Sequence, residues 1–466
     1  MKRALPFSAI CCAAFLLAAC TVGPKYQKPL VPIPTSWRAP AAESTSLGQL
    51  QWWALFKDPA LQKLIRTALA QNKDLLIAAE RVDQARAEVG LAHANQLPQA
   101  NLSASALEER LSRVGAFPFP PSFNVTLPLY TVQPQVSYET DFWGRYRQAT
   151  AAARDQLFAS EAARSSVQIA LVSSVAQSYF TLLELDRELA ITQQTVQSFQ
   201  DSVRLTRIRF QGGVASELDV RQAETELDTA QATIPVLEQQ IAQQEDAMSI
   251  LLGHNPEAIP RGLALTAQPL PPQVPAGLPS TLLERRPDVM QSEAQLKAAY
   301  AEVGVAKAQF YPQLALTASG GFESSVLTKF ISGPAAVWET VAGLSAPIFT
   351  GGALRSNLRL AQSEQREALI SYQQTVQEAF REVDDSLVAS QKTRQQRTAE
   401  EALVTAAQRA LNLANVRYSN GVATYLDVLD SERTYLDSEL SLAQTQGNLL
   451  LSTVQLYKAL GGGWQP

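Results

Sequence analysis

The 466-residue chain has three cysteines, two histidines and three methionines, and their scarcity removes whole classes of chemistry. Cys11 and Cys12 fall inside an N-terminal apolar run, so a chain processed after that run keeps Cys20 alone and closes no internal disulfide. His93 and His254 stand far apart, no metal-ligand spacing occurs and no phosphate loop is present, so no enzyme and no cofactor or metal site is expected. Basic charge is not in excess either. A net charge of −5, with no basic cluster or aromatic-basic stripe, excludes the footprint that nucleic-acid binding requires. Beyond the N-terminus no apolar run reaches the roughly 18 residues of a bilayer helix, so no transmembrane helix is predicted. What is present suits a folded protein with a large core, since 46% of residues are hydrophobic and 18% charged.

At the N-terminus, Lys2 and Arg3 precede an apolar stretch from Ala4 to Ala19 that has the form of a secretory signal, residues 1–19. It ends in Leu17-Ala18-Ala19-Cys20. This tetrapeptide resembles the bacterial lipobox, in which the Cys becomes the acylated first residue; the alternative is an ordinary signal peptide that happens to contain a Cys. The resemblance implies diacylglycerol and palmitate on Cys20. Thr21, where an Asp would favour inner-membrane retention, points to outer-membrane sorting. Residues 20–57, rich in Pro at first, read as an extended strap leading away from that anchor.

The chain repeats itself. RFQGGVASELDVRQAE, from Arg209 to Glu224, and RYSNGVATYLDVLDSER, from Arg417 to Arg433, share an aromatic, a Gly, Val-Ala, a hydroxyl and Leu-Asp-Val in the same order. Each reads as a helical hairpin tip, with Gly213 or Gly421 at the positive-φ position past one helix and Ser216 or Thr424 capping the next. Lys73 to Ser105 likewise lines up with Pro287 to Ser319 through Asp74 and Asp288, two Ala-Glu-Val-Gly runs and two Pro-Gln pairs. We therefore expect two similar halves, 58–260 and 279–460, joined by a linker at 261–278 and followed by a tail at 461–466.

Within each half, helical and strand periods alternate. Helical spacing starts near Asp58, breaks around Gln71 to Lys73, and ends before Pro98. Val132, Val136, Tyr138, Thr140 and Phe142 then alternate with polar residues, which predicts a strand and, with the Pro-rich reversal before it, a hairpin over 101–142. A second hairpin is expected at 313–348. Arg145 to Gln211 lacks Pro and Gly and carries Val175, Leu182, Leu189, Val196, Val203 and Phe210 at seven-residue spacing, a coiled-coil signal on a helix ~100 Å long. Ala353 to Tyr418 is its counterpart, interrupted by the polar run 390–401. Four strands cannot close a barrel, so oligomerisation is expected to remove the open edges.

CTVGPKYQKP at 20–29, the two tips, FWG at 142–144, FTGG at 349–352 and KALGGGW at 458–464 together resemble the outer membrane factor, or TolC-like, family. The similarity is nearest to its lipid-anchored branch, the exit ducts of tripartite drug-efflux pumps. It implies a mainly α fold with a membrane β-barrel: a homotrimer forming a 12-stranded outer-membrane barrel continuous with a 12-helix periplasmic coiled-coil tunnel. It also implies passive conduction of small molecules from an RND-type inner-membrane pump and a periplasmic membrane-fusion adaptor. A type I protein-secretion duct and a non-conducting periplasmic scaffold are the alternatives.

Two sets of site residues follow. The exposed tips, Gly212, Gly213, Val214 and Ala215 with Asn420, Gly421, Val422 and Ala423, are expected to dock the adaptor, the alternative being plain interhelical turns. Leu426, Asp430 and Arg433 share one helical ridge with Asp427 beside it, and this ridge resembles the family's constriction, a gate built from an apolar ring and carboxylate rings. The alternative is ordinary surface, with Asp430 and Arg433 an exposed pair.

Overall fold

A computed structural model describes residues 21–38, 56–116, 119–269 and 282–462. The signal sequence, Cys20, strap residues 39–55, the second half of the 261–278 linker and the last four residues lie outside the described residues. The chain divides into two compact units, Met1–Pro29 with Asp83–Ala159 and Glu293–Ser371, and Leu30–Val82 with Ser160–Ser292 and Tyr372–Pro466. Each draws on both sequence halves.

The helices are α1 (Pro59–Gln71), α2 (Lys73–Ala94), α3 (Arg145–Gln211), α4 (Glu217–Leu252), α5 (Pro287–Ala308), α6 (Ala353–Ser419) and α7 (Tyr425–Ala459). Asn72 makes the expected break between α1 and α2, since it is extended and its side chain accepts from Leu75 N while donating to Leu251 O. One stretch of α3 is long and apolar enough by composition to cross a membrane, which the sequence reading did not anticipate; 56% of it is buried inside the protein. Packing in a helical core accounts for its apolar character.

The first unit carries one antiparallel sheet in the order β1 (Gln99–Arg110), β2 (Thr126–Thr140), β3 (Gln313–Ser324), β4 (Ala336–Ser345). β2 starts earlier than its alternation suggests and runs through Pro134. Its ladder to β3 lapses at Gln133 and Pro134, resuming with Gln135 opposite Ser319. Proline has no N–H to give there, and Gly321 leaves room where a Cβ would strike Val132 O. β4 stops at Ser345, short of the expected 348. Both edge strands, β1 and β4, are almost wholly exposed.

The strap forms neither helix nor strand over 21–38. In the first unit it is held by Val22 N donating to Trp143 O at 3.1 Å and by Tyr26, which donates to Glu293 and meets the Tyr300 ring edge-on at 5.6 Å. Gly144, at φ +77°, gives Thr21 its place, because any Cβ there would collide with the Thr21 side chain.

In the second unit the core gathers Phe56, Leu61, Ile65, Tyr179, Phe180 and Met248, all fully buried. At its centre Asp58 caps α1 through Ala60 N at 2.9 Å and accepts from Tyr179 Oη at 2.7 Å, Gln268 Nε2 at 2.7 Å and Leu263 N at 3.0 Å. Burial pushes its carboxyl pKa up, but these donors outweigh burial and hold it below the ordinary value. Arg286, nearly buried, ties Asp288 at 2.5 Å, Glu382 at 2.7 Å and the Ala459 carbonyl at 3.1 Å, which joins α5, α6 and α7.

Candidate functional site

The tips and the start of α7 all belong to the second unit. Gly213 at φ +74° and Gly421 at φ +75° end α3 and α6 alike: Val214 N returns to Arg209 O and Val422 N to Arg417 O, each at 2.9 Å. Ser216 and Asp219 then form a reciprocal capping box on α4. On α7 the Thr424 amide and hydroxyl both donate to Asp427 at 2.9 Å. These turns leave Gly212, Gly213, Val214, Asn420, Gly421 and Val422 bare, while Ala215 and Ala423 are half-buried. Val214 is 68% and Val422 67% exposed, and a Cβ placed on Gly213 or Gly421 would meet only open space.

Beneath the tips Val203, Ala223, Tyr418, Tyr425, Val428 and Leu429 form a small apolar cluster. Arg209 fastens one hairpin to the other. Its guanidinium lies 4.5 Å from the Tyr418 ring centre and donates to Tyr418 O at 3.1 Å, where the carbonyls ending α6 carry partial negative charge.

Leu426, Asp427, Asp430 and Arg433 emerge together on the exposed face of α7, as the helical spacing requires. They are not equivalent. Asp427 serves the cap, and hydrogen bonds from the Thr424 backbone and side chain hold its pKa below the usual carboxylate value. Arg433 does not pair with Asp430, one turn earlier; it pairs with Glu226 on α4. That hydrogen bond keeps the guanidinium firmly charged.

The sequence reading missed Glu226, Arg209 and, above all, Glu432. Glu432 is only 7% exposed and accepts from Ser202 on α3 at 2.7 Å. Its other oxygen, Oε2, is buried without a hydrogen-bond partner. The signal was available, because Tyr425, Val428, Leu429 and Glu432 fall on one helical stripe and a carboxylate in that stripe is out of place. Among the described residues no group of three or more His, Cys, Asp or Glu could hold a metal ion.

Two long helical hairpins with bare glycine tips, joined to an open-edged antiparallel sheet, define the class as an outer-membrane channel with a helical periplasmic portion. Comparison with known proteins makes this specific. The profile of the family described as outer membrane efflux protein matches residues 64–254 and 278–462. The solvent efflux pump outer membrane protein SrpC of Pseudomonas putida is 37% identical over 466 residues, covering 97% of this chain and 97% of the relative. The probable outer membrane lipoprotein SilC of Salmonella typhimurium is 32% identical with the same coverage of both chains. The cation efflux system protein CusC of Escherichia coli is 31% identical over 99% of each. Among solved structures, the open state of the MtrE outer membrane channel of Neisseria gonorrhoeae superposes with a TM-score of 0.85 at 30% identity, covering 95% of this chain and 98% of that one. The chain belongs to the outer membrane efflux protein family. It is an outer-membrane transport conduit and not an enzyme.

Proposed function

We propose that three copies of this chain form the exit duct of a tripartite pump, carrying small organic molecules from an RND-type inner-membrane transporter and a periplasmic adaptor to the exterior. The observation that carries this reading is the sheet with both edges bare. Pairing β1 of one copy with β4 of the next closes three four-stranded sheets into one 12-stranded barrel and removes every exposed edge. The bare tips then present three pairs of glycine-rich turns to the adaptor, and Leu426, Asp427, Asp430 and Arg433 come from each copy to a common constriction. Cys20, by the lipobox and by analogy with the lipoprotein SilC, carries diacylglycerol and palmitate and anchors the strap in the outer membrane.

Organic cargo is favoured because SrpC, named for solvent efflux, is 37% identical. A second reading, cation export, is supported by the 31% identity to CusC. The two separate in one experiment: a strain lacking its own outer-membrane ducts is supplied with this chain alongside either a drug pump or a cation pump. Restored resistance to organic drugs and solvents, without restored copper or silver resistance, is expected. The reverse pattern overturns the organic assignment, and absence of conductance by the purified oligomer in planar bilayers overturns the duct itself.

A further inference from the structure

The seam between α3 and α7 is a run of polar contacts in a fixed antiparallel order. Gln177 meets Gln455 at 3.4 Å, Glu188 accepts from Gln444 at 3.0 Å, and Ser202 donates to Glu432 at 2.7 Å. Between the first two, Glu184 lies against Gly447, whose missing side chain admits it: a Cβ at that glycine would strike Glu184 Oε2. Two carboxylates, Glu184 and Glu432, are thus set into one helix seam, and among the described residues neither forms an ion pair.

Their surroundings do not offer a counter-charge. Facing Glu432 from α4 is Glu226, which repels it, and the neighbouring Arg433 is turned to Glu226. From α7 itself comes Tyr425, whose phenol is also buried without a partner, and against it lies the Tyr418 ring of α6. A groove of about 380 Å³ runs beside Glu432, lined by Ser198 and Asp201 of α3, Asn412 and Asn415 of α6, and Tyr435 and Glu439 of α7. Its charged members other than Glu432 are already engaged, Asp201 with Arg204 and Glu439 with Arg187. Glu184 faces another carboxylate, Glu188, on its own helix.

We propose that this seam is a proton-sensitive latch: with Glu184 and Glu432 protonated α7 stays packed on α3, and their ionisation loosens α7 along the groove. The proposal rests on the reading that the start of α7 constricts the duct. A carboxylate shut away without a cation, fully at Glu432 and half at Glu184, is favoured neutral, and to ionise freely it must gain water, which here means parting α7 from α3. Burial, with lesser repulsion from Glu226, pushes the Glu432 carboxyl up to about 7 against the Ser202 hydrogen bond. Burial and Glu188 do the same for Glu184, also to about 7. Because the packed-state pKa is raised above the ordinary value, packing is fully favoured below about 4.5. It weakens as pH rises from there to about 7, by up to about tenfold per pH unit for each carboxylate, and changes no further above.

Hydrogen exchange of the α7 amides in the full-length trimer, corrected for intrinsic rates and followed from pH 5 to pH 8, reads the latch directly. Protection over residues 425–440 is expected to fall at least tenfold across this range in the parent. Glu184→Gln with Glu432→Gln should keep α7 protected throughout. Ser202→Ala, which removes a donor to the ionised form, should move the midpoint to higher pH and serves equally if the double variant fails to assemble. Equal protection at both ends in the parent, or an unchanged midpoint in the Ser202 variant, overturns the latch. Conductance in planar bilayers under the same conditions tests the gate separately. Loosening of α7 with unchanged conductance leaves the latch standing and refutes the constriction.

Discussion

Arg433 on α7 is paired with Glu226 on α4, and not with Asp430 on its own helix. The contact joins the return helices of the two hairpins, so the helix that carries the proposed constriction is tied to a neighbour by one guanidinium. Exposed or half-exposed ion pairs contribute about 0.2–1 kcal/mol each, and three copies acting together would supply roughly 0.6–3 kcal/mol. That is enough to bias a shut tip and little enough for a partner to reverse. Neutralising Asp430 and Arg433 together, or replacing Glu226 by Gln, should therefore raise single-channel conductance or open probability several-fold. If both variants conduct like the parent with trimers verified, the latch at Arg433 has no role in closure.

The tips make a different prediction. Val214 and Val422 are apolar side chains held in water by rigid glycine turns, an arrangement with no benefit to the isolated chain. Val214→Asp with Val422→Asp should abolish efflux in cells while leaving thermal stability within about 0.5 kcal/mol of the parent, since neither side chain is buried. Full drug resistance in cells carrying this variant would remove the tips from adaptor docking.

Much of this was legible in the residues. The break at Asn72, the hairpins, the glycine tips and the long helix from Arg145 to Gln211 follow from period, proline and cap, all local properties. Val175, Leu182, Val196 and Val203 of the seven-residue series are indeed buried, whereas Phe210 is exposed at the tip, beyond the packed part of the helix. What escaped was long-range. The start of β2 at Thr126 comes from its pairing with Arg110 of β1, Pro134 is accommodated only because the ladder to β3 lapses there, and the partner of Arg433 lies two hundred residues away on α4. Glu432 showed on the apolar stripe of α7, but only the folded seam reveals that it lacks a cation.

For the anchor, Cys20→Ser should abolish incorporation of labelled palmitate. The strap residues that follow are held on the protein by Val22, Tyr26 and Lys28, so the unacylated chain should still place its N-terminus correctly. Trimers are expected to persist, because a closed barrel offers its own apolar band to the bilayer. Undiminished palmitate labelling of the Ser variant would eliminate the assignment.

Asp58 provides the test of what holds the second unit together. Removing its carboxylate strands the Tyr179 hydroxyl, the Gln268 amide and the Leu263 N–H in a largely buried site, besides uncapping α1. Asp58→Ala should cost about 3–5 kcal/mol, the range for breaking a buried hydrogen-bonded charge, and Asp58→Asn nearly as much because its amide would point a donor at donors. The pH dependence has a definite sign. The folded-state pKa is held below the ordinary 3.8 by Gln268, Tyr179 and the Leu263 and Ala60 amides against the opposing effect of burial. The stabilisation is therefore complete above about pH 4 and is lost as pH falls through the lowered value. Thermal unfolding followed between pH 2 and pH 6 should show the parent losing stability at the acid end more steeply than Asp58→Asn, which has nothing left to titrate there. Parallel curves for the two proteins would mean that Asp58 is not the acid-labile member of this core.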